Sequence, residues 1–182
     1  WLRFGGKPAV GLPHVYPAAR ETGARFVVRT NYLVHTADVR HIVQHMDSCL
    51  VSIRTWDEFT GRTSGYSYIE ACGEIPGAVW GHAGEDDDMN SVSALQNADG
   101  TMRPARELLA LWHAAGISPQ HRTVFYCGTG WRASIAFVYA WLMGWNAIGV
   151  YDGGWLEWSG DPANPTVVHG RPAANLLLSL PA

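Results

Sequence analysis

The segment Val124-Phe125-Tyr126-Cys127-Gly128-Thr129-Gly130-Trp131-Arg132-Ala133-Ser134 constrains the fold of this chain more than any other. An apolar run of strand length enters a cysteine, turns through two glycines and continues into a helical stretch. Such a turn lies at the carboxyl end of a strand, which is where open α/β sheets bind ligands. The other segments agree. Thr36 is expected to N-cap a helix through Val39, Ile42, Val43 and Met46, and residues 49–53 suit a buried parallel strand that ends in the polar run Arg54-Thr55-Trp56-Asp57-Glu58. Short strands are expected at 26–28 and 78–80, and strands at 123–126 and 147–151. Pro104 fits the first turn of a helix through Leu108, Leu109, Leu111 and Trp112 that stops before Gly116, and residues 133–143 form another helix. Residues 60–77 and 81–102 read as loop. Strands alternating with helices give an α/β fold: an open parallel sheet with helices on both faces.

The chemistry of the turn follows from its residue types. Gly128 and Gly130 let successive backbone N–H groups point inward as an anion-binding nest at a helix N-terminus, and Arg132 adds a positive charge. Each effect favours thiolate over thiol, and thiolate is the nucleophile. The competing reading is a cysteine that is only a small buried hydrophobe, but such a residue has no need of the glycine turn or the arginine. Trp131, inside the turn, is placed at a pocket rim.

Bulk properties exclude other classes. At 182 residues with 47% hydrophobic composition, the chain suits one main domain with an appended segment. A net charge of -3 without basic stripes argues against a nucleic-acid partner, and no apolar run approaches the roughly 20 residues of a membrane span. The expectation is therefore a soluble protein without a membrane partner. Three scattered cysteines make no disulfide framework, and Cys72 reads as a lone structural residue. His41 and His45 share a helix face but lack a third metal ligand, and the acidic run 85–88 lacks EF-hand spacing, so it reads as a solvated loop. No metal site is expected.

Four motifs now carry a family resemblance. The six residues Cys127-Gly128-Thr129-Gly130-Trp131-Arg132 resemble the active-site loop of rhodaneses. Leu50-Val51-Ser52-Ile53-Arg54 is similar to their strand ending in Asp-x-Arg, Gly73-Glu74-Ile75-Pro76-Gly77-Ala78 to their Gly-His-Ile-Pro-Gly-Ala turn, and Tyr151-Asp152-Gly153-Gly154-Trp155 to their Tyr-x-Gly-Gly turn. The match covers about residues 36–165 and is nearest to the C-terminal catalytic domain of tandem or multi-domain bacterial thiosulfate sulfurtransferases. Residues 1–25 then resemble a linker and the tail of a preceding rhodanese domain, with 26–182 as the catalytic domain.

The resemblance implies a double displacement. Cys127 takes a sulfane sulfur from thiosulfate or 3-mercaptopyruvate, holds it as a persulfide, and passes it to cyanide, a thiol or a protein. Gly128, Thr129, Gly130, Trp131 and Arg132 would hold the persulfide, with Arg132 both binding the donor anion and bracing the loop, and Arg54 structural. No cofactor is implied beyond the covalent persulfide, and the compartment, bacterial periplasm or cytoplasm, is left open. Ser52 stands where the family often has aspartate and Glu74 where it often has histidine; both positions support loops. Gly128 occupies a position that is often basic in thiosulfate-preferring loops, which leaves donor preference open. Two alternatives remain: a non-enzymatic persulfide carrier or docking module, and a cysteine-dependent phosphatase or arsenate reductase. The last has loops resembling Cys-x5-Arg, one residue longer than the spacing from Cys127 to Arg132.

Overall fold

The structure, a computed structural model, describes residues 30–168 and 171–172. A 3-10 turn at Thr30–Tyr32 leads into β1 (Leu33–Val34), α1 (Thr36–His45), β2 (Cys49–Ser52), α2 (Trp56–Phe59) and β3 (Val79–Trp80). α3 (Ala105–Ala114), β4 (Thr123–Tyr126), α4 (Trp131–Leu142), β5 (Ile148–Tyr151) and α5 (Gly154–Gly160) follow, and β6 (Val167–Val168) pairs antiparallel with β7 (Arg171–Pro172). The expected strand at 26–28 and the expected linker at 1–25 lie outside the described residues.

Strands β1 to β5 make one sheet in the order β1-β5-β4-β2-β3, with every pair parallel. Register sets the two faces, because side chains alternate along each strand. Leu50 pairs with Val124 and Val51 with Phe125. Val51, Phe125 and Ile148 pack with Leu108 and Trp112 of α3 and with Ala133, Ala136 and Ala140 of α4. Leu50, Val124, Tyr126 and Tyr151 pack on the other face with Val39 and Ile42 of α1 and with Trp155 and Trp158 of α5. Helices thus cover both faces, as the alternation of strands and helices implied.

The chain moves outward from β2 to β3, then crosses to the other side of β2 to enter β4 and continues to β5. The strand order therefore reverses between β2 and β4, and loops leaving those two strands at a reversal diverge to form a crevice. The loop after β4 carries Cys127 and the loop after β2 carries Arg54, so topology brings the two motifs together.

Several boundaries shift by one or two residues, α4 beginning at Trp131 rather than 133, and three differences from the sequence reading bear on how the elements are held. Thr36 is the first helical residue of α1, and His35 is the N-cap, its backbone N–H donating to Asp38 Oδ2 at 2.9 Å. Thr36 Oγ1 is engaged instead with the Tyr151 hydroxyl at 2.9 Å and with Glu157, which ties α1 to β5 and α5. Pro104 stands at the N-cap of α3 rather than within its first turn. The polar run after β2 contains α2, closed by a capping box in which Glu58 N donates to Thr55 Oγ1 at 3.2 Å and Thr55 N donates to Glu58 Oε2 at 2.9 Å.

Candidate active site

Cys127 follows directly on β4 and has none of its surface exposed. Its carbonyl oxygen accepts from Trp155 N at 2.8 Å, and that of Gly128 from Leu156 N at 3.0 Å, so the first turn of α5 grips the loop from one side. A trans peptide points its N–H opposite its C=O. The N–H groups of Gly128 and Thr129 are therefore turned away from α5. Gly130, at φ +90°, starts α4, and among the described residues the N–H groups of 128–132 have no protein acceptor. The loop and the head of a twelve-residue helix offer free donors where an anion binds well.

Glycine is required at two of these positions by close approach. A Cβ on Gly154, at φ +56°, would lie 2.5 Å from the Cys127 carbonyl oxygen, and one on Gly130 2.8 Å from that of Asp152.

Arg132 is fully buried and faces inward. Its Nη1 and Nη2 donate to Glu58 Oε2 and Oε1 at 2.8 and 2.9 Å, a bidentate pair between α4 and α2, and Nη2 also donates to the Tyr66 hydroxyl at 3.0 Å. Burial opposes the charge on Glu58, but the hydrogen bonds and charge of Arg132, and then of Arg54, outweigh it and hold Glu58 below the usual carboxylate range. Burial likewise opposes the Arg132 charge, and Glu58 overcomes it, raising Arg132 above its ordinary value. The guanidinium thus braces the loop, and its charge is largely answered by Glu58.

Arg54, also fully buried, donates to Gly73 O at 2.7 Å, lies 3.4 Å from Glu74 and 3.6 Å from Glu58, and stacks 5.1 Å from the centroid of Trp155. The structural role expected for it matches this placement. Ser52 Oγ donates to Glu74 Oε2 at 2.7 Å, and the Tyr126 hydroxyl donates to Glu74 Oε1. The two departures from the rhodanese pattern are therefore in contact, and the carboxylate that pattern carries at 52 is supplied here from 74. Burial raises Glu74 above the usual carboxylate range, against the pull of Arg54, Tyr126 and Ser52.

A cavity of about 340 Å³ opens beside the loop, lined among others by Thr55, Glu58, Tyr66, Asp86, Asp87 and Met89. Tyr66, 7% exposed, stands between this cavity and the loop: a Cβ on Gly128 would fall 2.1 Å from Tyr66 Cε2. The acidic run is exposed, as a solvated loop should be, yet Asp86 and Asp87 belong to this wall, and Asp86 Oδ1 accepts from Asp57 N at 2.9 Å. Trp131 is 43% exposed, in keeping with a rim position, and Thr129 is half-buried.

Residues outside this centre separate cleanly. Cys72 is exposed rather than packed in the core, so its expected structural role finds no support, and Cys49 is half-buried with its thiol pushed up by burial. His41 and His45 are exposed with rings stacked 4.0 Å apart. Among the described residues no three or more His, Cys, Asp or Glu are grouped to hold a metal. No helix among them is long and apolar enough to cross a membrane.

Sequence reasoning missed Glu58 and Tyr66. Glu58 had a local signal, the Thr-x-x-Glu capping pattern, but its partner Arg132 is 74 residues away. Tyr66 lies in a loop without periodicity and had none.

The rhodanese-like domain model matches residues 36–161. The thiosulfate sulfurtransferase YnjE of Escherichia coli is 47% identical over 171 residues, which are 94% of this chain and 39% of that protein. A solved structure of the anaerobic ergothioneine biosynthesis enzyme from Chlorobium limicola, in complex with its natural substrate trimethyl histidine, is 43% identical at a TM-score of 0.73 over 77% of this chain and 32% of that one. A cysteine-persulfide form of EanB, in a tetrahedral intermediate state with ergothioneine, is 39% identical at a TM-score of 0.76 over 89% of this chain and 36% of that one. The chain thus spans about two fifths of the length of the curated relatives it matches.

Proposed function

Because the chain belongs to the rhodanese-like domain family, we propose that it is a sulfurtransferase that carries a sulfane sulfur on Cys127. The Cys127 thiolate attacks the outer sulfur of thiosulfate, a new S–S bond forms, and the old one breaks with its electron pair leaving on sulfite. The product is a Cys127 persulfide anion, which a thiophilic acceptor then discharges. No proton needs to move in the loading step, which fits a loop whose donors are backbone N–H groups rather than an acid or base.

The observation that carries this reading is the state of those N–H groups: among the described residues they have no protein acceptor, and they follow directly on a buried cysteine at the reversal of the sheet. Since Glu58 engages Arg132, the donor anion is held by the amides of Gly128, Thr129, Gly130 and Trp131, with Arg132 fixing their positions. Mass measurement after incubation with thiosulfate tests the proposal. One sulfur atom is expected to be gained, to leave with cyanide as thiocyanate, and to be missing in Cys127→Ser. Hydrolysis of phosphate esters without sulfur uptake overturns it.

A second reading concerns the acceptor. The cavity beside the loop carries Asp86 and Asp87 and, among the described residues, no lysine or arginine in its wall, a setting suited to a small acceptor with a cationic group. The relative that takes trimethyl histidine has such a substrate. Sulfur lost from the loaded protein to trimethyl histidine faster than to cyanide supports this reading, and loss to cyanide alone removes it.

A further inference from the structure

The Tyr66 hydroxyl has an unspent proton at the edge of the Cys127 loop. Its oxygen accepts from Arg132 Nη2 at 3.0 Å, the Arg132 guanidinium lies 5.8 Å from its ring centroid, and among the described residues its O–H has no acceptor. The ring packs on Gly128, where an added Cβ would stand 2.5 Å from the hydroxyl oxygen. The ionisable groups that face this hydroxyl are Arg132, Cys127 and Glu58, and burial lifts it above the usual phenol range, so it keeps its proton at neutral pH. It packs on the residue next to Cys127 and is not hydrogen-bonded to the Cys127 thiol. A second sulfur attached to Cys127 lies about 2.0 Å beyond Sγ.

We propose that Tyr66 donates a hydrogen bond to the outer sulfur of the Cys127 persulfide and so holds the atom that is transferred. The proposal rests on the reading of Cys127 as a persulfide carrier. The bond is absent with the resting thiolate and forms as negative charge arrives on the outer sulfur, so it favours the loading transition state over the free enzyme. Arg132 holds the oxygen through its Nη2 hydrogen bond, which leaves the Tyr66 proton free to be donated. Tyr66 is thereby both the wall between cavity and cysteine and the donor at the reacting sulfur, while the loop amides serve the inner sulfur and the sulfite oxygens.

Stopped-flow loading by thiosulfate and discharge by cyanide are to be compared in the parent, Tyr66→Phe and Gly128→Ala, together with the pH profile of Cys127 alkylation in the resting protein. Tyr66→Phe keeps the ring and removes the donor; loading is expected to slow about 10- to 100-fold, the range for one hydrogen bond to a charged group. Gly128→Ala keeps the hydroxyl and displaces the ring, and is expected to give a loss of the same order. The alkylation profile of Tyr66→Phe should match the parent, because the resting thiolate does not use this bond. Rates within twofold of the parent in both variants, or a slowed Tyr66→Phe whose alkylation profile shifts in step, overturn the proposal. Failure of the parent to take up sulfur at all removes the persulfide reading and this inference with it, whereas normal uptake with an unaffected Tyr66→Phe removes this inference alone.

Discussion

Arg132 is the residue at which a sequence motif and a structural role diverge. As the last member of the loop motif it reads as both charge for an anionic donor and brace for the loop, and its guanidinium, sealed and bidentate on Glu58, is placed for the second role. Truncation leaves Glu58 buried with Arg54, at 3.6 Å, as its one charged partner among the described residues. Loss of one partner of a buried pair costs about 3–5 kcal/mol. Arg132→Ala is therefore expected to lower the unfolding free energy measured in urea by that amount and to reduce kcat/KM equally with thiosulfate and 3-mercaptopyruvate. A selective loss with thiosulfate would show that the guanidinium meets the donor. Cys127 was legible because its glycine turn and following helix are local in sequence. Glu58 and Tyr66 were not, since they reach Arg132 across 74 and 66 residues.

At the scale of elements, the loop is shaped as much by α5 as by β4 and α4. The N–H groups of Trp155 and Leu156 draw the carbonyls of Cys127 and Gly128 to one side, which turns the amides to the other. Gly154 permits this approach at φ +56°. Gly154→Ala places a methyl 2.5 Å from the Cys127 oxygen in a left-handed conformation, at an expected cost of about 1–3 kcal/mol. Moving a reactive group by about 1 Å costs about 100-fold in rate, so sulfur loading should fall much further than the thermal midpoint suggests. Loading that tracks stability alone would separate α5 from loop geometry. β4 was readable to the residue because its β-branched and aromatic run Thr123-Val124-Phe125-Tyr126 is bounded by Arg122 and the cysteine turn, and β2 to within one residue. α2 was overlooked although Thr55 and Glu58 form its capping box, since four residues are too few for periodicity to register. The N-cap of α1 was misplaced because the Thr36 hydroxyl is used in tertiary contacts with Tyr151 and Glu157.

Across the whole molecule, the buried carboxylates make folding sensitive to acid with opposite signs. Glu58 sits below its ordinary value of 4.5, so its contribution is complete above about pH 4.5 and is lost as pH falls through the folded value. Glu74 is raised, so it takes up a proton earlier in the folded state and partly offsets that loss. Stability measured by urea unfolding is expected to drop below pH 4.5 in the parent, and in Glu58→Gln to be lower at neutral pH with a shallower acid slope. An unchanged slope would place the acid sensitivity elsewhere. The local pattern of the chain determined most element types, the parallel α/β class and the candidate cysteine, because apolar period, turn glycines and the cysteine loop act over a few residues. Only tertiary structure decided that the sheet reverses between β2 and β4, that Glu58 takes up the Arg132 charge, that Ser52 and Glu74 meet, and that Tyr66 packs on the cysteine loop at Gly128. Those contacts join segments tens of residues apart, and their energy comes from burial and paired charge that exist only once the sheet has assembled.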